Sequence, residues 1–449
     1  MQKSIQNVLL TAAAAVALNA GAALANEQQH GQDQISGQLD HVFVIMMENQ
    51  TSTDILGNSN APFINKYAKI ANQATRYFAV GHPSAPNYLE IVGGSNFGLT
   101  NDFWPSWVHG GCVENDPTDQ DPVTGGCVGA ITPIATPGLD NPVPATGTPG
   151  TTSDAAHCNG QIEALPTPTA VANNCALRDY QATTYTPKTI ADQLVAAHKT
   201  WKSYQEDLPA VDPGVDGVNY SDGEVSNLSP AAVFAPGHIQ KLYAVKHNPF
   251  VYFKNIQLGT NPSLSFQQVV DFDGPRGLWA DLASGDVPNL AFIAPNQCHD
   301  QHGFVSGGTP ICASGTDVSN DAEAAATGEL LLAQGDAEVN KLVNGIHASR
   351  AWQEGRNAIV VVWDENDFAN AANNVVMLVE TNYARNGNTD ATPYDHFSLL
   401  KTLETGFGLP CLNHACDPTS VVMAPMFGFE TKGNGNGNGN GQGNDYGRH

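Results

Sequence analysis

The chain has 449 residues with 44 acidic against 19 basic side chains, a formal net charge of −25 at neutral pH. So acidic a field disfavours nucleic acid or an anionic membrane as a bulk partner, because positive charge holds both; any bound phosphate needs local cations. After the first 25 residues no apolar run approaches the roughly 20 that a membrane helix requires, so no transmembrane anchor is expected.

Residues 1–25 read as an export signal, with Lys3 near the start, an apolar stretch from Val8 to Leu18, and small residues at Ala23 and Ala25. The expected product begins at Asn26 and is secreted or periplasmic. Residues 26–431 are long enough for one elaborated domain. Its first strand is HVFVIMM (41–47), which runs directly into Glu48 and Asn49. In GHPSAPNYLEIVGG (81–94), Ser84 stands between Pro83 and Pro86, with Asn87 three positions on and an apolar helical run behind it. Ser84 there is either a helix cap or a nucleophile.

From 101 to 185 the chain is rich in Pro, Thr and Gly and carries Cys112, Cys127, Cys158 and Cys175. This segment is expected to be a disulfide-pinned excursion from the main fold. Residues 186–201 have a Thr-Pro start and helical spacing, as do 335–352 and 396–408. The runs 248–253, 289–295, 358–363 and 374–380 are nearly continuous in branched and aromatic residues, as strands buried on both faces should be. The class is therefore α/β, a largely parallel central sheet with helices on both faces. All eight cysteines lie beyond residue 25, and an even number in an exported chain favours disulfides. Cys411 and Cys416 are near enough in sequence to pair, although connectivity does not follow from spacing. The Gly/Asn-rich tail, 432–449, has too little apolar surface to fold and is expected to be disordered.

Three strand ends carry polar clusters. Glu48 and Asn49 follow the first strand; Asn296, His299, Asp300 and His302 follow 289–295; Asp364, Glu365, Asn366 and Asp367 follow 358–363. Ligands of open α/β sheets sit at the carboxyl ends of strands, so the clusters are expected to converge. Glu48, Asn49, Asp364 and Glu365 offer oxygen to one hard divalent cation, Mg²⁺, Ca²⁺ or Mn²⁺, and the pattern leaves room for a second metal. A serine hydroxyl on such a cation is a competent nucleophile. A helix start at Ser84, with the Asn87 amide, is suited to cradle phosphate. No G-x-S-x-G turn is present.

With these motifs the chain resembles the bacterial phosphoesterases that include secreted acid phosphatases and phospholipase C enzymes, within the alkaline-phosphatase-like superfamily. The likeness runs in order through HVFVIMMENQT, GHPSAPNYLEIVGG, WKSYQEDLP, AVKHNPFVYF, APNQCHDQHG, VVVWDENDF and PYDHFSLLKTLE. It implies an alkaline-phosphatase-like fold, a catalytic domain over 26–431, and Ser84 as nucleophile. Asn49 and Asn87 would bind the phosphoryl group, while Glu48, Asn49, Asp364 and Glu365 would hold metal. The places where two-metal relatives carry Asp and His read Asn296 and Asp300 here, and Glu365 stands where they have His. His247, His299, His302 and His396 fall in shared motifs; His299 and His396 are the first candidates for leaving-group acid, and His247 and His302 for phosphate contacts. His82 and Lys246 are weaker candidates. The implied activity is phosphate-monoester hydrolysis through a phosphoserine, with an acidic optimum if a cationic histidine assists. The alternatives are a phospholipase C-type phosphodiesterase acting on phospholipid head groups and a noncatalytic exported metal-binding protein. The sequence leaves the oligomeric state open.

Overall fold

Six consecutive buried apolar residues in His41–Met47 (β1) leave no face for water, and the strand accordingly lies inside an eight-stranded sheet. The computed structural model describes residues 34–429 apart from 98–187, 209–241, 254, 257–258, 304, 307–308, 311, 313–320 and 368–372. The expected signal, the 101–185 excursion with its four cysteines and the 432–449 tail lie outside the described residues, except that the expected domain is described in large part.

The other strands of the sheet are Asn72–Ala74 (β2), Trp201–Gln205 (β3), Val269–Asp271 (β4), Leu290–Ala294 (β5), Asn357–Trp363 (β6), Met377–Thr381 (β7) and Thr389–Asp390 (β8). Their order is β8-β2-β7-β6-β1-β5-β3-β4. The central run β6-β1-β5-β3-β4 is parallel throughout, and β7 pairs antiparallel with both β6 and β2. The helices that matter to the site are Ser84–Gly93 (α1), Ile190–Ala196 (α2), Asp321–Ala348 (α3) and His396–Phe407 (α4). All ten residues of α1 are buried, and it packs against α4. The expected α/β architecture is the one observed.

Four expectations about elements need correction. Residues 248–253 do not form a strand: Pro249–Tyr252 is a buried 3-10 turn, because Pro249 has no N–H to give a central ladder and a short apolar run fits buried turns as well as strands. The helix expected at 186–201 starts later and stops earlier. Thr189 and Asp192 form a reciprocal capping box, and His198 turns at φ 58° before Trp201 enters β3. The run 374–380 is a strand, shifted to Met377–Thr381 and antiparallel to its neighbour. The helix expected at 335–352 extends back to Asp321 and ends at Ala348; Ser349 then caps a separate turn, accepting the Trp352 N–H at 3.2 Å.

Two disulfides are present among the described residues, Cys298–Cys312 and Cys411–Cys416. No helix among the described residues is long and apolar enough to cross a membrane.

Candidate active site

Parallel pairing sets the first contacts. Met47 is in register with Trp363, and the Asp364 N–H extends the ladder to the Met47 carbonyl at 2.9 Å. Glu48 and Asp364 thus emerge side by side from β1 and β6. On the other flank of β1, the Glu48 N–H donates to the Asp300 carbonyl at 2.8 Å, which draws in the loop after β5. Asn49 turns with φ 45°, a conformation asparagine tolerates better than most residues, and its N–H donates to Asp364 Oδ1 at 3.2 Å.

Ser84 is the first residue of α1, and the cap position belongs to Pro83. Its hydroxyl therefore does not cap the helix. Ser84 Oγ lies 2.9 Å from Glu48 Oε2 and 3.1 Å from Glu365 Oε1, with its single proton between two carboxylates. Asn87 holds the preceding loop. Its Oδ1 accepts from the Val80 and Gly81 amides at 3.1 and 2.9 Å, and its Nδ2 donates to the Gly81 and Pro83 carbonyls at 2.9 and 3.2 Å. The amide expected to meet phosphate is thus engaged by backbone, although Nδ2 also lies 3.5 Å from Glu365 Oε2. His82 Nδ1 sits 2.5 Å from the same oxygen, inside the buried site. The loop that folds His82 back onto Glu365 has no periodic signature in the sequence.

A second half of the site lies across Glu48. His247 Nε2 is 3.3 Å from Glu48 Oε1, and its Nδ1 is 3.0 Å from Asp300 Oδ2, both out of hydrogen-bond alignment. The ring stacks on Tyr88 of α1, with centroids 5.3 Å apart. His302 meets His247 edge-on, with centroids 5.4 Å apart, and its Nε2 lies 3.1 Å from Lys246 Nζ. Its Nδ1 is 2.6 Å from the Gly303 carbonyl. An Nδ1–H donor would leave Nε2 to accept from the lysine.

Burial drives the electrostatics. It pushes the Glu48 carboxyl well above the usual carboxylate range, with the Asp364 charge adding. Asp364 rises through burial and then Glu365; Asp300 rises through burial and then Glu48. Burial, helped by Lys246 and His302, pushes His247 well below the ordinary imidazole value. Glu48 Oε1, Asn49 Oδ1, Asp364 Oδ2 and Asp300 Oδ2 are buried and accept no hydrogen bond among the described residues. Orphaned carboxylate and amide oxygens gathered in this way fit a hard divalent cation.

The two first candidates for leaving-group acid are placed differently. His396 opens α4 within the site, but Nε2 is 2.5 Å from the Asp364 carbonyl and Nδ1 is 2.9 Å from the Tyr77 hydroxyl. Both ring nitrogens are thus engaged in holding the backbone of Asp364 and the Tyr77 hydroxyl. His299 contacts Glu206 and Glu338 instead of the Ser84 group, and is partly exposed. Asn296 likewise organises its own loop, its Oδ1 accepting from the Cys298 and His299 amides. Lys246 and Asp300 complete the site and had no place in the first rank of sequence candidates. The local signal for Asp300 is its position after β5; Lys246 lies in the short 3-10 turn Val245–His247, which carries no periodic signal.

The model of the Phosphoesterase family matches residues 24–410. The chain is 24% identical over 377 residues to the phosphatidylinositol-3-phosphatase of Mycobacterium tuberculosis, an alignment covering 84% of this chain and 79% of that protein. It is 22% identical over 352 residues to the phosphate-repressible acid phosphatase of Penicillium chrysogenum, covering 78% of this chain and 55% of the relative. A solved protein of the alkaline phosphatase superfamily from Vibrio parahaemolyticus superposes with a TM-score of 0.39 at 11% identity, over 88% of this chain and 70% of that one.

Proposed function

Since the chain belongs to the Phosphoesterase family and is a phosphoric ester hydrolase, we propose that it is an exported phosphomonoesterase working through a phosphoserine on Ser84. The observation that carries this reading is Ser84 Oγ placed on Glu48 Oε2 and Glu365 Oε1 at the start of a buried helix. Glu48, Asn49, Asp364 and Glu365 would hold one hard divalent cation, which supplies positive charge to a phosphoryl group in this acidic site when bound.

Ser84 Oγ attacks phosphorus, its proton passing to Glu48; the Oγ–P bond forms as the ester P–O bond breaks. The Lys246–His302 pair stands across Glu48 and supplies the proton to the departing alkoxide. Water then attacks the phosphoserine, giving its proton to the Lys246–His302 pair, as the Oγ–P bond breaks, Glu48 returns its proton to Ser84 Oγ and inorganic phosphate leaves. His82, held against Glu365, keeps that carboxylate oriented toward the serine. Two described disulfides support an oxidising compartment, consistent with the export signal read at residues 1–25. The relatives' names, an acid phosphatase and a phosphatidylinositol-3-phosphatase, support a phosphate monoester as substrate, a phosphoinositide among the candidates.

The test is phosphate release from monoesters, diesters and phosphoinositides, with and without chelator, together with acid-quench trapping of labelled protein. Monoester turnover, loss on chelation and label on Ser84 are expected. Turnover of diesters alone would replace this reading with the phospholipase C-type one; no release with any divalent cation would leave a metal-binding protein.

A further inference from the structure

Glu206 follows β3, His299 follows β5, and Glu338 lies on α3, so three separate elements bring two carboxylates and an imidazole together. We propose that Glu206, His299 and Glu338 form a second cation site of zinc type, distinct from the Ser84 centre, that fixes the loop carrying Asp300 and His302. The ligand atoms lie within 4.8 Å of one another. His299 Nδ1 is 2.8 Å from Glu206 Oε2 and 3.9 Å from Glu338 Oε2.

One imidazole nitrogen and two carboxylates, with His299 35% exposed to admit the ion and a water ligand, give three ligands and an open position, and the imidazole donor favours zinc over ions that take oxygen alone. The oxygen-only half of the Ser84 centre favours a harder ion. The supporting shell is already in place: the His299 N–H donates to Asn296 Oδ1 at 3.1 Å, and the Asn296 N–H donates to Glu206 Oε2 at 3.0 Å. The neighbouring Cys298 is tied to Cys312.

Charge points the same way. Glu338 is only 4% exposed, yet its side-chain hydrogen bonds come from Lys341, itself 51% exposed and 3.1 Å away. A dication held by these three ligands would take the place of the Lys341 ammonium beside Glu338 and free the lysine. The loop connection is direct: Asp300 is the next residue, and its carbonyl accepts the Glu48 N–H.

The experiment uses the full chain with Glu48→Gln, Asp364→Asn and His247→Ala, which remove ligands from both the oxygen set and the Glu48–His247–His302 group of the Ser84 centre. Zn²⁺ binding is measured by equilibrium dialysis, and Co²⁺ binding by its visible absorption. One equivalent is expected, weakened about tenfold or more by His299→Ala or Glu338→Gln, since even outer-shell losses cost that much, and strengthened by Lys341→Ala. No binding in this background, or binding that survives both ligand substitutions, identifies an ion-pair network only and overturns the proposal. If circular dichroism shows that His299→Ala unfolds, the near-isosteric Glu338→Gln decides alone. Because the Ser84 centre is disabled throughout, failure here is separable from failure of the phosphomonoesterase reading.

Discussion

Glu48 and Asp364 stand side by side because Met47 and Trp363, the residues before them, are register partners on neighbouring parallel strands. Both carboxylates are fully buried, and each has an oxygen that receives no hydrogen bond among the described residues. Paired buried carboxylates cost several kcal/mol unless a cation or proton compensates them. The sheet therefore creates a demand for positive charge, and Ser84 Oγ is directed into that place from the start of α1.

Replacing Ser84 with alanine should abolish labelled phosphoenzyme and lower monoester turnover by about 10³-fold or more, because a nucleophile acts as a unit with its activating groups. The fold should survive, since Ser84 does not cap α1. Single-turnover kinetics with acid quench measures both effects; full turnover by the variant would remove Ser84 from the mechanism.

The strand-end clusters were legible because β1, β5 and β6 announce themselves as unbroken apolar runs, and their polar successors at Glu48, Asn296 and Asp364 follow without a gap. What the sequence hid depends on loops crossing between elements. His82 reaches Glu365 across 283 positions, and His247 comes from a 3-10 turn that has no apolar period. His299 and His396 illustrate the reverse limit: a motif histidine can be located by its strand or helix, but its partners are set by tertiary neighbours, Glu206 and Glu338 for one and Tyr77 and the Asp364 carbonyl for the other.

Chelator-treated protein should lose thermal stability as pH rises. Glu48, Asp300 and Asp364 are all raised by burial in the fold, so the folded chain binds protons that the unfolded chain has released. Their contribution is whole below the unfolded carboxylate value of about 4 and is lost as pH climbs through the folded values. The melting midpoint should fall as pH rises above about 6.5, where the neutral His247 no longer offsets the carboxylates, and a divalent cation should restore it at the upper end. Scanning calorimetry across pH, with and without cation, checks this. A metal-free midpoint that climbs over the same interval would contradict the burial argument.

Removing the Cys298–Cys312 bridge by Cys298→Ser with Cys312→Ser should destabilise the protein by about 3 kcal/mol on the chain-entropy account, given a sequence separation of 14. The bridge also adjoins the loop that presents Asp300 and His302, so turnover should fall even at temperatures where the variant is folded. Thermal unfolding and steady-state kinetics on one preparation separate the two effects. Unchanged kinetics in a folded variant would show that backbone bonds such as Glu48 N–H to the Asp300 carbonyl hold the loop without help.

His396 offers the sharpest separation of a positioning role from an acid role. With Nε2 at the Asp364 carbonyl and Nδ1 at the Tyr77 hydroxyl, the neutral ring donates to one and accepts from the other. His396→Ala leaves both buried partners without that ring, at a cost of about 1–3 kcal/mol for each unsatisfied group, and lets the Asp364 backbone shift. Thermal stability and divalent-cation affinity should therefore drop with turnover, while the shape of the pH–rate profile stays the same. A leaving-group acid would behave otherwise: its loss would remove one limb of the profile, most severely for esters with poor leaving groups, and leave cation affinity intact. Comparing a phenolic with an alkyl monoester across pH distinguishes these outcomes. A missing limb would return His396 to the proton-transfer step, and uniform loss on both esters would place its effect in the geometry of Asp364.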